Sequence, residues 1–144
     1  NAGTSNIEVY GDHPTRESKL WHIGVTDPTN PSDPSGFAGV KMDSGSSLVT
    51  SGDYVRYYEV DNQRYHHLIN PYTLKPSYHH RSVTVVIEDG SIGDIISTAA
   101  FLMSPSESQS FIDSLDDVEA VWYLDDESIK TSSGFDEYLL EWRD

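Results

Sequence analysis

The alternation of apolar and polar positions predicts mainly short strands in the first 87 residues. Turn residues interrupt the apolar runs, as at Gly11-Asp12-His13-Pro14 and Asp27-Pro28, and such residues commonly connect strands. The segment Asp61-Asn62-Gln63 has hairpin length, so its flanking strands should pair antiparallel. A β-branched, almost wholly apolar segment favours a central strand at Ser82–Ile87. The predicted strands are Ile7–Tyr10, Lys19–Val25, Phe37–Met42, Ser47–Ser51, Tyr57–Val60, Arg64–Ile69 and Ser82–Ile87.

The remainder of the chain predicts helices and a closing strand pair. Apolar side chains recur at three- and four-residue steps over Ile92–Met103, which predicts a helix with one apolar face formed by Ile92, Ile95, Ile96, Ala99 and Met103. An N-cap serine, a proline and a capping-box glutamate at Ser104-Pro105-Ser106-Glu107 open a second helix that runs through Leu115. Strands are expected at Val118–Leu124 and Ser128–Thr131, and a terminal helix at Phe135–Trp142.

Together these elements predict one α+β domain, a mainly antiparallel sheet with helices packed on it. The chain has 144 residues, which suffices for a real hydrophobic core. It carries a net charge of −15, and residues 82–144 hold 15 Asp and Glu against 2 Lys and Arg. Such a charge repels phosphate backbones and anionic lipids, so binding of nucleic acid or of a membrane surface is not expected. No segment is long and apolar enough to span a membrane. The absence of cysteine excludes disulfides and thiol chemistry.

A carboxylate and a hydroxyl fall on one face of the first predicted helix. Asp94 and Thr98 lie four residues apart, about one helical turn, and their oxygens can hold a hard cation such as Mg²⁺. The alternative is structural: Asp94 can cap or favour the helix start, and Thr98 can hydrogen-bond back to a carbonyl. The spacing alone leaves both interpretations open.

Two adjacent histidines, His66 and His67, provide a candidate base. Neighbouring residues of a strand face opposite sides of the sheet, so the two cannot serve by the same geometry. A histidine can accept a proton near neutral pH from an attacking hydroxyl. Upstream, Thr50-Ser51-Gly52-Asp53 places small hydroxyls and a glycine where a ligand can approach the backbone, although a tight turn explains this segment equally well. The motifs of dinucleotide-binding folds, P-loop NTPases and α/β-hydrolases do not occur.

Three blocks in order along the chain resemble the ApbE-type FAD:protein FMN transferase family. They are Thr50-Ser51-Gly52-Asp53-Tyr54, Tyr65-His66-His67-Leu68-Ile69-Asn70-Pro71 and Asp94-Ile95-Ile96-Ser97-Thr98-Ala99. The resemblance implies transfer of FMN from FAD to a Ser or Thr hydroxyl of a target protein, with Mg²⁺ and release of AMP. It implies His67 as the catalytic base with His66 in support, an FAD pocket lined by Thr50, Ser51, Gly52 and Asp53, and Mg²⁺ ligands at Asp94 and Thr98. Arg56, Arg64, Lys75 and Arg81 could balance the phosphates of FAD, or each could be a solvated charge at a strand edge.

Residues 1–144 are similar to the C-terminal portion of the family's domain, from Asn1-Ala2-Gly3 onward. The upstream half is expected to be absent, so the isolated chain should have little activity. The family implies an extracytoplasmic location, with a lipoprotein anchor upstream of Asn1. Two departures are Thr4-Ser5-Asn6 in place of the usual Gly-Asp continuation, and Leu74 in place of a loop glycine. Alternative functions are an FAD pyrophosphatase that yields FMN and AMP, and a non-catalytic flavin-binding or interaction domain.

Overall fold

A computed structural model describes residues 5–143 of the chain. A five-stranded antiparallel sheet forms its centre, in the order β1-β4-β9-β10-β11, and a three-stranded antiparallel sheet, β12-β3-β2, packs beside it. The strands are β1 Asn6–Glu8, β2 Trp21–Val25, β3 Ala38–Met42, β4 Ser47–Gly52, β5 Tyr57–Val60, β6 Gln63–His66, β7 Ile69–Asn70, β8 Lys75–Pro76, β9 His80–Ile87, β10 Glu119–Leu124, β11 Ile129–Thr131 and β12 Leu139–Trp142.

The central strand β9 divides the core into two layers. Val83 and Val85 lie in one hydrophobic cluster with the helices, whereas Val86 lies in a second cluster with the three-stranded sheet. Successive strand residues face opposite sides of a sheet, so one apolar strand can supply both clusters. The predicted fold class and the central position of this strand are confirmed.

Two helices cover one side of the five-stranded sheet: α1 at Gly90–Leu102 and α2 at Pro105–Asp113. The Asp89 side chain caps α1 by accepting hydrogen bonds from the Ser91 and Ile92 backbone N–H groups. In α2 the predicted capping box is present between Ser104 and Glu107. The longest helix among residues 5–143 has 13 residues, and none in this range meets the length and hydropathy of a membrane span.

The buried face of α1 differs from the predicted apolar face. Ile92 and Ile95 are 49% and 70% exposed, whereas Gly93, Ser97 and Ala100 are buried together with Ile96. A Cβ on Gly93 would lie 2.8 Å from Val49 Cγ2. The helix therefore approaches the sheet closely through small residues, and this close approach turns Ile92 and Ile95 outward while Ile96 stays in the core.

The predicted terminal helix is wrong. Only Phe135–Glu137 is helical, as a short 3-10 turn, and Leu139–Trp142 forms β12. This strand completes the second sheet by pairing with β3, and its Trp142 ring stacks on Phe37 with the centroids 6.3 Å apart. Pairing with an available sheet edge thus overrides the local pattern.

Two small hairpins extend the fold near the histidines. β5 and β6 pair antiparallel as predicted, through a turn in which Asp61 and Asn62 both have positive φ. β6 ends at His66 rather than at Ile69, and β7 pairs instead with β8. The loop between β7 and β8 contains Leu74 at φ 57°, a conformation that favours glycine. The departure from the family pattern at this position therefore places an exposed leucine in a glycine-type conformation.

Candidate active site

Three blocks that are distant in sequence meet at one cleft of about 400 Å³, a volume typical of small-molecule sites. The C-terminal end of β4 forms one wall, α1 forms another, and the segment after β6 supplies a histidine. Antiparallel pairing of β4 with β9, together with the packing of α1 on both strands, brings these blocks together. The predicted site residues that line the cleft are Thr50, Ser51, Gly52, His67, Asp94 and Thr98.

Hydroxyl groups join β4 to α1 at the floor of this cleft. Ser51 Oγ lies 3.0 Å from Ser97 Oγ and 3.0 Å from Thr98 Oγ1. Ser97 Oγ also donates to the Asp94 carbonyl at 3.3 Å. This network fixes the Thr98 hydroxyl on the cleft side of α1, and the back-bonding role considered for Thr98 belongs to Ser97.

The capping alternative for Asp94 is wrong, because Asp89 is the N-cap of α1. Asp94 lies in the second turn of the helix, and its side chain is exposed at the cleft. The four ion pairs among residues 5–143 do not include it. A solvated carboxylate one turn from a hydroxyl is a set of hard oxygen donors suited to Mg²⁺. Within residues 5–143 no three His, Asp or Glu side chains cluster as a metal site.

His67 is exposed and lines the cleft. The Arg56 carbonyl lies 3.2 Å from its backbone nitrogen and 3.3 Å from its Nδ1 atom. A carbonyl only accepts hydrogen bonds, so Nδ1 carries the hydrogen when this contact forms. The neutral ring then has its unprotonated nitrogen at Nε2, where it can accept a proton.

His66 has the opposite tautomer and a structural environment. It is 3% exposed, with Nε2 2.7 Å from the Ser77 carbonyl and Nδ1 accepting from the Leu68 N–H at 3.3 Å. Burial lowers its pKa, although the Ser77 contact opposes this shift. Because both ring nitrogens are engaged inside the protein, His66 holds the local fold and does not line the cleft.

Asp53 lies behind the cleft, in an ion-pair network. Its Oδ2 atom is 2.9 Å from Arg81 Nε and 3.4 Å from Arg64 Nη1. Desolvation raises the pKa of this carboxyl, and the two arginines oppose the shift. Oδ1 is buried with no hydrogen-bond partner among residues 5–143. The carboxylate therefore anchors β6 to β9, and direct contact between Asp53 and a flavin stays a prediction.

Gly52 has a specific packing role beside Tyr54. A Cβ at position 52 would lie 2.4 Å from Tyr54 Cε1 and 3.2 Å from the Arg81 carbonyl oxygen. Only glycine lets the tyrosine ring lie this close to the strand at the cleft wall. The glycine of this motif therefore leaves the space that the Tyr54 ring occupies.

Several cleft residues were not predicted as site residues. Tyr54 belongs to the first block, and Arg56 is one of the four cations near the blocks. Leu68 belongs to the second block and Ser5 to the departure at Thr4-Ser5-Asn6, whereas the sequence pattern gave no indication of Val55. The additional lining residues are Ser5, Tyr54, Val55, Arg56 and Leu68.

A larger groove of about 860 Å³ lies between the loop at Pro71-Tyr72 and the two helices. Its lining is mainly apolar, with Leu102 and Phe111. The one carboxylate that lines it, Glu107, is occupied by the capping box of α2. This groove lacks the combination of base, carboxylate and hydroxyls that the smaller cleft has. We therefore regard the smaller cleft as the candidate active site.

Comparison with known proteins agrees with the family that the three blocks resemble. The sequence model of the ApbE family matches residues 1–122. The chain belongs to the ApbE family. A Treponema pallidum protein named FAD:protein FMN transferase is 30% identical over 115 residues, covering 79% of this chain and 31% of that protein. A Klebsiella pneumoniae protein of the same name is 32% identical over 114 residues, covering 78% and 35%. The chain thus spans about a third of the length of these relatives.

Solved ApbE structures have the same fold. The crystal structure of the Thermotoga maritima ApbE protein superposes with a TM-score of 0.81 at 29% identity, covering 95% of this chain and 43% of that one. The apo flavinyl transferase ApbE of Pseudomonas stutzeri superposes with a TM-score of 0.68 at 25% identity, covering 93% and 41%. The sequence match at Asn1-Ala2-Gly3 lies outside the residues that the structure describes.

Proposed function

We propose that the protein containing this chain transfers FMN from FAD to a Ser or Thr hydroxyl of a target protein and releases AMP. The observation that carries the proposal is the meeting of the three family blocks at one cleft, with His67, Asp94 and Thr98 on its walls. Relatives named FAD:protein FMN transferase support the same activity.

His67 is proposed as the general base. Its Nδ1–H is held by the Arg56 carbonyl, which leaves Nε2 to take the proton of the acceptor hydroxyl. The hydroxyl oxygen forms a bond to the phosphorus of the FMN moiety. The bond from that phosphorus to the bridging oxygen breaks, and the oxygen leaves with AMP.

Asp94 and Thr98 are proposed to hold Mg²⁺. When bound, the ion would neutralise charge on the pyrophosphate. The residues fit this role because the Asp94 carboxylate is exposed and outside the ion pairs of residues 5–143, and because the Ser51 contact fixes the Thr98 hydroxyl. Further ligands would come from water, from the substrate, or from parts of the protein beyond this chain.

The segment Thr50-Ser51-Gly52-Asp53 is proposed to contribute to FAD binding in two ways. Its first three residues line the cleft, and Gly52 admits the Tyr54 ring, whose face can stack on a flavin or adenine ring. Asp53 would act from behind by holding Arg64 and Arg81. Because the chain spans about a third of the relatives' length, we propose that the complete site needs the rest of the domain and that the isolated chain has little activity.

The test uses the complete gene product with FAD, Mg²⁺ and a candidate acceptor protein. The proposal predicts covalent FMN on an acceptor Ser or Thr, found by mass spectrometry, and AMP in equal amount. AMP together with free FMN in the presence of acceptor would indicate a pyrophosphatase instead. Binding of FAD without any AMP would indicate a flavin-binding domain. An extracytoplasmic location with a lipid anchor stays a prediction, which cell fractionation tests.

A further inference from the structure

The cations near the family blocks are not equivalent in the folded protein. Arg81 and Arg64 both contact the Asp53 carboxylate, and Arg64 also lies 3.5 Å from Glu59 Oε1. The Arg64 guanidinium is further placed over the Tyr57 ring, 4.2 Å from its centroid. These two positive charges are therefore compensated and held within the protein.

Arg56 differs from them in both position and partners. It is exposed and lines the cleft, and the four ion pairs among residues 5–143 do not include it. Its backbone carbonyl is anchored by the two contacts from His67. The backbone at Arg56 is thus fixed beside the candidate base, while its guanidinium stays available for a ligand.

The negative charge of the chain favours a cationic side chain wherever an anionic ligand binds. The chain has a net charge of −15, and Asp94 adds a carboxylate to the cleft itself. The summed field therefore opposes entry of any phosphorylated molecule. Among the cleft-lining residues of the described chain, Arg56 is the one Lys or Arg. A guanidinium binds phosphate oxygens with two parallel charge-assisted hydrogen bonds.

We propose that Arg56 binds a phosphate group of the ligand and makes the cleft selective for phosphorylated over unphosphorylated flavins. The inference rests on the proposed function, because it takes FAD as the ligand. Arg56 would be a specificity-determining residue whose side chain binds the anion and whose carbonyl orients His67. One residue would then set the distance between the phosphate and the base.

Binding measurements on the complete gene product test this assignment. Dissociation constants for FAD and riboflavin would be compared by calorimetry in the wild type, Arg56→Gln, Arg56→Lys and Lys75→Gln. Lys75 is the matched control, since it is exposed, lies outside the cleft and loses the same unit charge. Arg56→Gln should weaken FAD binding about 10- to 100-fold, the range for hydrogen bonds to charged groups, and leave riboflavin binding unchanged. Arg56→Lys should recover part of the lost FAD affinity, because lysine restores the positive charge but cannot form the two parallel hydrogen bonds of a guanidinium.

The ionic-strength dependence gives a second readout. FAD binding to the wild type should weaken with added salt, and this dependence should be smaller in Arg56→Gln. Equal losses in Arg56→Gln and Lys75→Gln, or equal losses for FAD and riboflavin, would overturn the assignment. If the wild type binds FAD and Arg56→Gln binds it equally well, this inference alone fails. If the wild type does not bind FAD, the proposed function fails and the inference fails with it.

Discussion

At the scale of single residues, two adjacent histidines have opposite tautomers and different roles. The Arg56 carbonyl requires hydrogen on Nδ1 of His67, whereas the Leu68 N–H requires a lone pair on Nδ1 of His66. The sequence predicted that the pair would face opposite sides, and the structure confirms the exposed and buried placement. The sequence alone did not indicate the Ser77 and Arg56 carbonyls, which lie 11 residues from the histidines that they contact.

Asp94 should determine the metal requirement of the reaction. In the complete gene product, Asp94→Asn removes the charge of a proposed Mg²⁺ ligand and should raise the Mg²⁺ concentration for half-maximal activity at least about 10-fold, as losses around metal sites commonly do. Asp116→Asn is the control, since Asp116 is exposed and lies outside the cleft. Activity would be measured against Mg²⁺ concentration for both variants. Identical curves would show that Asp94 is not a metal ligand.

His80 should make the protein less stable in acid. This side chain is 1% exposed, and burial lowers its pKa from 6.5 to about 4. The neutral form is favoured in the folded state, so its contribution is complete above pH 6.5 and is lost as pH falls toward 4. The loss amounts to about 3 kcal/mol in the free energy of unfolding.

His80→Asn tests this contribution, because an asparagine amide can replace Nδ1 in the 3.1 Å contact with the Phe101 carbonyl. Denaturant unfolding between pH 7 and pH 4 should show a shallower decline in His80→Asn than in the wild type. The exposed neighbour serves as control, and His79→Asn should follow the wild type. Parallel curves for all three proteins would refute a depressed His80 pKa.

At the scale of elements, the position of α1 decides where Asp94 and Thr98 lie. The helix approaches β4 through Gly93 and is tied to it by the hydroxyl contacts of Ser51. Sequence periodicity predicted the helix itself within two residues at each end, but favoured the isoleucines as its packing face. A hydrophobicity pattern predicts that the large apolar residues of a helix are buried. Close packing of α1 on the sheet instead required the smallest residues.

Gly93→Ala should therefore destabilise the protein even though alanine favours helix formation. The new Cβ would lie 2.8 Å from Val49 Cγ2 and 2.9 Å from Ile87 Cγ2, and Val49 is fully buried in the core. Overpacking costs about 1–3 kcal/mol, against a helix-propensity gain of about 1 kcal/mol. We expect a net loss of about 1 kcal/mol in denaturant unfolding.

Ser91→Ala is the control for the propensity term, since Ser91 is exposed on the same helix. It should be neutral or slightly stabilising. Equal or higher stability in Gly93→Ala would mean that α1 can move away from the sheet without cost, and that its close approach does not fix the site.

At the scale of the whole molecule, antiparallel pairing and helix packing bring the three blocks together, and they place Ser51 in contact with Thr98, 47 positions later in the sequence. The order of the blocks in the sequence predicted the family, and through it the residues of the candidate site. The distribution of charge was accessible only from the fold, because Asp53 compensates Arg64 and Arg81 while Arg56 stays at the cleft. The terminal strand was likewise inaccessible, since the β3 edge that it pairs with lies about 100 residues earlier in the chain.

The proposed role of His67 as the base for FMN transfer at this cleft is tested by a comparison of two histidine variants. In the complete gene product, FMN transfer and the thermal midpoint would be measured for His67→Ala and His66→Ala. His67→Ala should lower the transfer rate by about 10² to 10⁴ and keep the wild-type thermal midpoint, because the side chain is exposed. His66→Ala should lower the thermal midpoint, since two buried hydrogen bonds are lost, yet retain turnover. The reverse pattern, or equal and modest effects in both variants, would rule out His67 as the base.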